Sequence, residues 1–519
     1  MIQRLIQLIL FCSISVCFGQ APAQIDWGPT NIYRPNMLSI LPKSNGSFFT
    51  FHYTNSSLLP MPKISRFDNC IEVVSKKIEQ RIETKMVTLE DVFVFSDRLF
   101  CLFSDLLGAT VSLYIQEYDN EADQLGIPIE VASYPIPKGW VKDVFISLKM
   151  SPKEKCMVVD YLIPARKDDF DQFGYAILDS TLTPIKRGEY EIPYNSKLTA
   201  VETRHVTDNG DYFLGVSVFK KANSLVWKNF EVADKSVLLH LNRKDSLQIF
   251  EISSDFQKVF NYTISSNQNK VVITGTWGNI ESKEVKGVFS SLYLINQSQF
   301  TQPKFIQFTE GELPSDPVQD TKLITDNYMN IDNDLLNYSF RKVVFDSDGN
   351  LIVLAEQYYI YEVSSIDSRG MSQVTNYYHY NDCLLYSISV DSGQLNWLRK
   401  VPKKQVSVND FGQFSSVLCY QNNGKLRFFF NDVKQNYDEL GAYNGKRIPF
   451  SNTTRYKDYC LSQVTVDLKD GNVSRILFSP YEAINAYICL KLSAVNEKGK
   501  QVIFSASQKK DKYGILPFE

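Results

Sequence analysis

The sequence is poor in the residues that carry readable chemistry. Its 519 residues include four histidines, His52, His205, His240 and His379, too scattered for an H-x-x-x-H pair or a two-Cys two-His array. No G-x-S-x-G elbow, P-loop or G-x-G-x-x-G occurs, which removes the usual signatures of an α/β-hydrolase, an NTPase or a dinucleotide enzyme. No catalytic residue, metal ligand or cofactor is therefore assigned. Charge of one sign is also missing: 55 Lys+Arg against 58 Asp+Glu leave a net charge of −3, which excludes a nucleic-acid binder working by bulk charge. Beyond the first residues no run approaches ~18 uninterrupted apolar positions, so no transmembrane segment is expected. What is abundant is aromatic material, 34 Phe and 29 Tyr in a chain that is 44% hydrophobic. That composition belongs to a globular protein with a large core, not to a disordered or collagen-like chain.

Met1 to Gly19 joins an early Arg4 to an apolar stretch centred on Leu5 to Phe11, the pattern of a secretory signal peptide, with cleavage expected after Gly19. Removing it leaves Cys70, Cys101, Cys156, Cys383, Cys419, Cys460 and Cys489. None forms a C-x-x-C pair, and four lie in apolar strand-like runs where a thiol acts as a small hydrophobe. Mostly unpaired core cysteines are expected, with one disulfide among Cys383, Cys419 and Cys460 as the alternative that an oxidising compartment permits.

One unit recurs eight times along the chain: an apolar strand, a short polar turn, then a second and often more hydrophobic strand. The turns contain Asn45, Asp97, Pro152, Asn209, Gln268, Asp348, Asn423 and Lys498, and most are rich in Asn, Asp or Gly, residues that accept the positive φ values of tight hairpins. Following strands such as Leu99 to Phe103, Leu351 to Leu354 and Leu426 to Phe430 are continuous or nearly continuous apolar runs, which implies burial on both faces. A second hairpin often follows, as at Leu384 to Trp397 and Leu461 to Phe478. Two hairpins make four antiparallel strands, and such units repeated around a ring are a β-propeller. Residues 20–519 are accordingly expected to form a single all-β propeller of eight blades, Asp26 to Arg34 joining the C-terminal strands to close the ring. Seven blades, or a pair of β-sandwiches, are the alternatives. A turn or two of helix is tolerated only at Met86 to Phe93 and Glu310 to Leu336, and the acid-rich segment 309–336 reads as a loop insertion.

Between Asn337 and Asn436 the wording becomes specific: Ala355 to Tyr359 (A-E-Q-Y-Y), Pro402 to Gln405 (P-K-K-Q) and Phe430 to Asp432 (F-N-D) occur in that order. This resembles a group of uncharacterised secreted proteins of Gram-negative bacteria expected to be β-propellers. The resemblance covers about one fifth of the chain and departs from the group's pattern at Val401, Cys383 and Leu384. It implies an exported propeller, secreted, periplasmic or at the cell surface, and adds no catalytic residue.

The same region holds the best candidate ligand site. Glu356 ends a wholly apolar strand, so its carboxylate must reach a rim or find a buried partner. Tyr358, His379, Tyr380, Lys404, Gln405, Asn431 and Asp432 fall at equivalent strand ends, offering carboxylates, amides and aromatic planes to a sugar or peptide. The bland reading is an inter-blade hydrogen-bond network. Glu356 with Asp432 is a conceivable glycosidase pair only at a suitable carboxylate separation. Arg399, Lys400, Lys403 and Lys404 read as a solvated basic edge, and Asp346 to Asn350 as a hairpin turn sooner than a calcium loop. Seven N-x-S/T sequons, at Asn45, Asn55, Asn261, Asn296, Asn337, Asn452 and Asn472, decide little in an Asn-rich chain. The expected function is non-catalytic binding of a protein or saccharide partner through one face by a monomer, with a secreted propeller hydrolase of glycans or peptides as the alternative.

Overall fold

A computed structural model describes residues 25–516 apart from 33–35, 55–59, 106–109, 136–143, 164, 166–168, 221–232, 242–246, 253–257, 268–269, 280–283, 295–298, 309–337, 367–369, 453–455, 482–485, 496–500 and 508–509. The leader, the acidic segment, part of the turn at Gln268, the turn at Lys498 and the sequons at Asn55, Asn296 and Asn337 lie outside the described residues.

Among the described residues, strands assemble into eight sheets of four to six strands, antiparallel apart from one parallel pair of Gln405–Val408 with Phe450–Ser451 in the sixth, with a two-stranded ribbon between the first two. The first sheet takes Met37–Pro42, Phe48–Tyr53, Pro62–Asp68 and Ile71–Lys77 in spatial as well as sequence order. The second starts at Thr88–Phe95, the third at Phe145–Met150, the fourth at Thr199–Val206, the fifth at Lys258–Ser266, the sixth at Tyr338–Phe345 and the seventh at Leu418–Asn422. The eighth is composite. Its strands Gln501–Ala506 and Lys510–Leu516 come from the C-terminal end, and Asp26–Ile32 pairs antiparallel along Lys510–Leu516, with Thr30 opposite Lys512.

Each sheet buries one face on the sheet before it and the other on the sheet after it, because successive side chains of a strand point to opposite faces. Phe49 packs with Cys101 and Phe103 of the second sheet, whereas its neighbour Phe48 packs with Val502 and Phe504 of the eighth. Met157 and Val159 face the second sheet; Cys156 and Val158 face Tyr212 and Leu214 of the fourth. Phe213 then meets Tyr262 and Ile273 of the fifth, and Val272 and Val288 meet Leu351 and Val353 of the sixth. Ile352 and Leu354 join Phe428 of the seventh, in the cluster that reaches Ile488 and Ile503 of the eighth. The packing runs once around and returns to its start, the arrangement of a β-propeller. The continuous apolar runs are the second strands of these sheets, caught between two neighbours.

One feature departs from the sequence expectations. Met86 to Phe93 contains no helical turn: Lys85–Met86 belongs to the ribbon and Thr88–Phe95 is the first strand of the second sheet. The seven described cysteines form no disulfide, as the main expectation had it, and the alternative bridge among Cys383, Cys419 and Cys460 is absent. Six of the seven are buried, and burial pushes the thiols of Cys101, Cys383, Cys460 and Cys489 up.

The first strands lie beside one another around the centre. Five of them carry a register shift at the same level, which leaves Leu38, Glu90, Glu202, Phe260 and Arg341 as the extra residue. Three of these reach equivalent positions on the second strand of their own sheet: Glu90 accepts a hydrogen bond from Ser104, Glu202 pairs with Ser217, and Arg341 pairs with Glu356. The repeated bulge thus carries a repeated polar clasp near the axis.

Candidate functional site

The predicted cluster divides into a buried half and a half set on and beside a partly exposed hairpin, where Tyr358, His379 and Lys404 are half-buried and Tyr380 is buried. Glu356, Gln405 and Asn431 are wholly buried and Asp432 nearly so. Glu356 Oε2 accepts from Arg341 Nε and from Ser416 Oγ at 2.7 Å each, and its Oε1 lies 2.7 Å from Lys403 Nζ, a charge contact without an aligned hydrogen bond. Lys403 also donates to the Tyr380 carbonyl at 2.9 Å and to Gln405 Oε1 at 2.8 Å. Gln405 Nε2 in turn donates to the Asn431 carbonyl at 2.8 Å, carrying the network from the sixth sheet into the seventh. Asn431 Nδ2 reaches the Ile488 carbonyl of the eighth at 2.8 Å, and its Oδ1 accepts from Tyr481. One chain of polar groups therefore ties three sheets together.

Asp432, pointing the other way along the strand, has its own partners: Arg475, the Tyr437 hydroxyl at 2.6 Å and Asn436 Nδ2 at 2.7 Å. Asp382 is a third paired carboxylate, held by Arg447 at 2.6 Å and Lys400 at 3.1 Å. Burial alone would push the Glu356 carboxyl up. The charges of Lys403 and Arg341 outweigh it and hold the group below the usual glutamate value.

The basic edge expected from sequence is not solvated. Lys403 is buried against Glu356, Lys400 is paired to Asp382, and Arg399 caps the carbonyls of Gly471 and Asp470 at 3.0 Å. Sequence reasoning placed Lys404 in the ligand cluster and gave Lys403, its buried neighbour, only to the solvated edge, and it passed over Arg341, Ser416, Arg475 and Tyr481. Period-two alternation was the available signal, since Val401, Lys403 and Gln405 share one buried parity.

The other half rides on a long hairpin. Leu351–Ile366 and Ser372–Ile388 run far past the end of Tyr338–Phe345, at the end where the first strands begin. The extension carries Tyr358 on Tyr380, ring centroids 4.6 Å apart, and Tyr359 stacked on His379 at 4.5 Å. Burial, with Lys404 adding to it, pulls the His379 imidazole down to about 4, so it is neutral near pH 7. Tyr380 is buried with the guanidinium of Arg341 and the ammonium groups of Lys403 and Lys491 near its ring. Ile360, Met371 and Val374 on the hairpin and Phe411 beside it, 79% accessible, are exposed.

Nearer the axis, Asp91 and Glu202 are accessible to solvent, yet the encircling strands push both carboxyls up. Among the described residues no three of His, Cys, Asp and Glu gather in a group that could hold a metal ion. Asp346 accepts from Asp348 N at 2.9 Å and from Asn350 N at 2.8 Å, the bonding of a capped hairpin turn.

No protein-family model matches the chain, and no curated protein matches its sequence. Among solved structures it is similar to the WD40 domain of SCAP from fission yeast, at 6% identity over 97% of both chains with a TM-score of 0.39. It is also similar to polysaccharide lyase Uly1, at 11% identity over 85% of this chain and 94% of that one with a TM-score of 0.35. Prolyl oligopeptidase B from Galerina marginata matches at 9% identity over 91% of this chain and 55% of its own, with a TM-score of 0.38. The chain spans about half the length of the prolyl endopeptidase and oligopeptidase chains it matches. At these scores no residue role passes from them to this chain.

Proposed function

We propose that the protein is an exported, non-catalytic propeller of eight blades that binds a protein or saccharide partner through the face from which the long hairpin rises. The observation that carries the reading is the contrast between the two halves of the site. The carboxylates at the blade ends are occupied by Lys403, Arg341, Arg475, Arg447 and Lys400, as an inter-blade brace requires. Immediately beyond them, the hairpin exposes Ile360, Met371 and Val374 among stacked aromatics, on a base that the brace holds rigid. Pinned charges and a presented aromatic surface suit recognition better than turnover.

A glycan and peptide array probed with the full chain, with and without chelator, tests this. Binding that survives chelator and is lost in Ile360→Asp is the expected result. Turnover of a bound glycan that is abolished by Glu356→Ala in a folded protein contradicts it. A hydrolase is the second reading, and what favours it is the raised carboxyls of Asp91 and Glu202, since a general acid needs such a shift. Turnover lost in Glu202→Gln, with Glu356 variants unaffected, would support that reading.

A further inference from the structure

A cavity of about 240 Å³ opens between the second and third sheets, lined by Tyr134, Pro135, Tyr161, Ile163, Gln172, Phe173, Glu189, Tyr190 and Glu191. Its floor is aromatic. Tyr134 and Tyr161 are buried and stacked, centroids 3.7 Å apart at 10°. The Tyr190 ring packs on Tyr175 at the face turned to the fourth sheet, and the exposed Glu189 and Glu191, of the opposite parity, stand at the rim.

One glycine lets the Tyr161 ring lie where it does: a Cβ at Gly174 would come within 2.0 Å of it. The hollow is thus built into the pairing of Phe170–Asp179 with Pro184–Asn195, where Gly174 lies opposite Glu189.

Among the described residues, the charge lining the cavity is of one sign: two carboxylates line it and no lysine or arginine does. Lys186 instead sits over the Tyr175 ring, and Arg187 donates to the Glu130 carbonyl at 3.0 Å. Glu90 adds further negative potential at Tyr134. Among the described residues the buried Tyr134 hydroxyl has no hydrogen-bond partner, whereas Tyr161 donates to Glu189 at 2.8 Å.

We propose that this cavity receives a basic side chain, arginine or lysine, from a protein partner. Ring faces attract a cation through their quadrupoles, and a desolvated site strengthens that attraction. The rim carboxylates then pair with the charge, while the free Tyr134 hydroxyl offers an acceptor. A neutral sugar would stack on the same rings but gives the two carboxylates no counter-charge. The inference rests on the binding reading above and narrows it to a protein partner with an exposed basic residue.

The probes are capped fluorescent pentapeptides with Arg, Lys, citrulline or norleucine at the centre, titrated against the full chain at low salt and read by anisotropy. Citrulline keeps the shape of arginine without its charge, so Arg and Lys peptides should bind at least tenfold more tightly than the other two. Glu189→Gln with Glu191→Gln should remove most of that preference, and so should added salt. Circular dichroism melts establish that the variants fold, and Tyr134→Phe, which removes the unpartnered hydroxyl, supplies a second, independent loss. Equal binding of neutral peptides, displacement by methyl glucoside alone, or no binding of the basic peptides overturns the proposal. The two readings fail differently. If array partners are lost in Ile360→Asp but kept in the double glutamine variant, the cavity assignment falls and the binding face stands. If no array partner is found at all, the broader reading falls.

Discussion

Removing the Glu356 carboxylate is the perturbation with the best-defined consequence. In Glu356→Ala, Lys403, with a side chain only 1% accessible, loses its counter-ion, and Arg341 and Ser416 lose an acceptor. Breaking a buried ion pair from one side costs about 3–5 kcal/mol, because an uncompensated charge stays in a poorly solvated site. Replacing both partners, as in Glu356→Gln with Lys403→Met, should cost less, since the buried ammonium goes with the carboxylate and only the partly exposed Arg341 is left without its counter-ion. A chain of this size need not unfold in one step, so native-state hydrogen exchange is the appropriate assay, read on the amides of 351–356 and 383–388, which pair across the sixth sheet. A loss of 3 kcal/mol corresponds to exchange faster by about a hundredfold where opening limits it. The double variant should recover most of that. If the single variant leaves exchange within about threefold of the parent, Glu356 is not part of a brace and the separation of the site into two halves is wrong.

The same pair sets an acid limit. The folded pKa of Glu356 lies below its ordinary value of 4.5, so in that window the folded chain binds fewer protons than the unfolded one. Its contribution is whole above pH 4.5 and is lost as pH falls through the folded pKa; acid unfolding should shift to higher pH in Glu356→Gln. Gly174→Ala drives a methyl into Tyr161 and should cost about 1–3 kcal/mol in denaturant unfolding, where Gly349→Ala, a turn position with nothing within 4 Å, would be strained by its positive φ and not by contact. Of the seven described thiols, the six that are buried, four of them pushed up by burial, should resist a water-soluble disulfide reagent until the chain is unfolded, and fast reaction of any of these six in the native protein would contradict the packing.

The architecture was legible because its signals are local and repeated. Asn, Asp and Gly at turns such as Asp97, with φ 61°, and Asn423, with φ 48°, mark hairpins wherever they occur, and apolar runs mark the strands between two neighbours. Of the two helical suggestions, the one that falls on described residues, Met86 to Phe93, failed for a physical reason. The bulge at Glu90 inserts a residue into Thr88–Phe95, so Leu89, Val92 and Phe93 are buried at i, i+3 and i+4, a helical spacing produced by a kinked strand. Ion-pair partners were not legible, because Arg341, Lys403 and Ser416 meet Glu356 only through the register of several strands. The aromatic hollow at Tyr134 and Tyr161 was missed for the same reason. Its two walls come from different sheets, and the glycine that shapes it looks like an ordinary strand weakener in sequence.

The ring itself rests on Asp26–Ile32 joining Lys510–Leu516, since an eighth sheet left without it would present an open edge. Cross-linking is the direct measurement: Thr30→Cys with Lys512→Cys places two thiols at opposed positions of antiparallel strands, within the span a disulfide bridges. Mild oxidation of the monomer should give a 30–512 linked peptide by mass spectrometry, with no loss of folded signal. Recovery of that link only between separate chains, or its absence while either single-cysteine variant reacts freely with reagent, would contradict a ring closed by its own two ends.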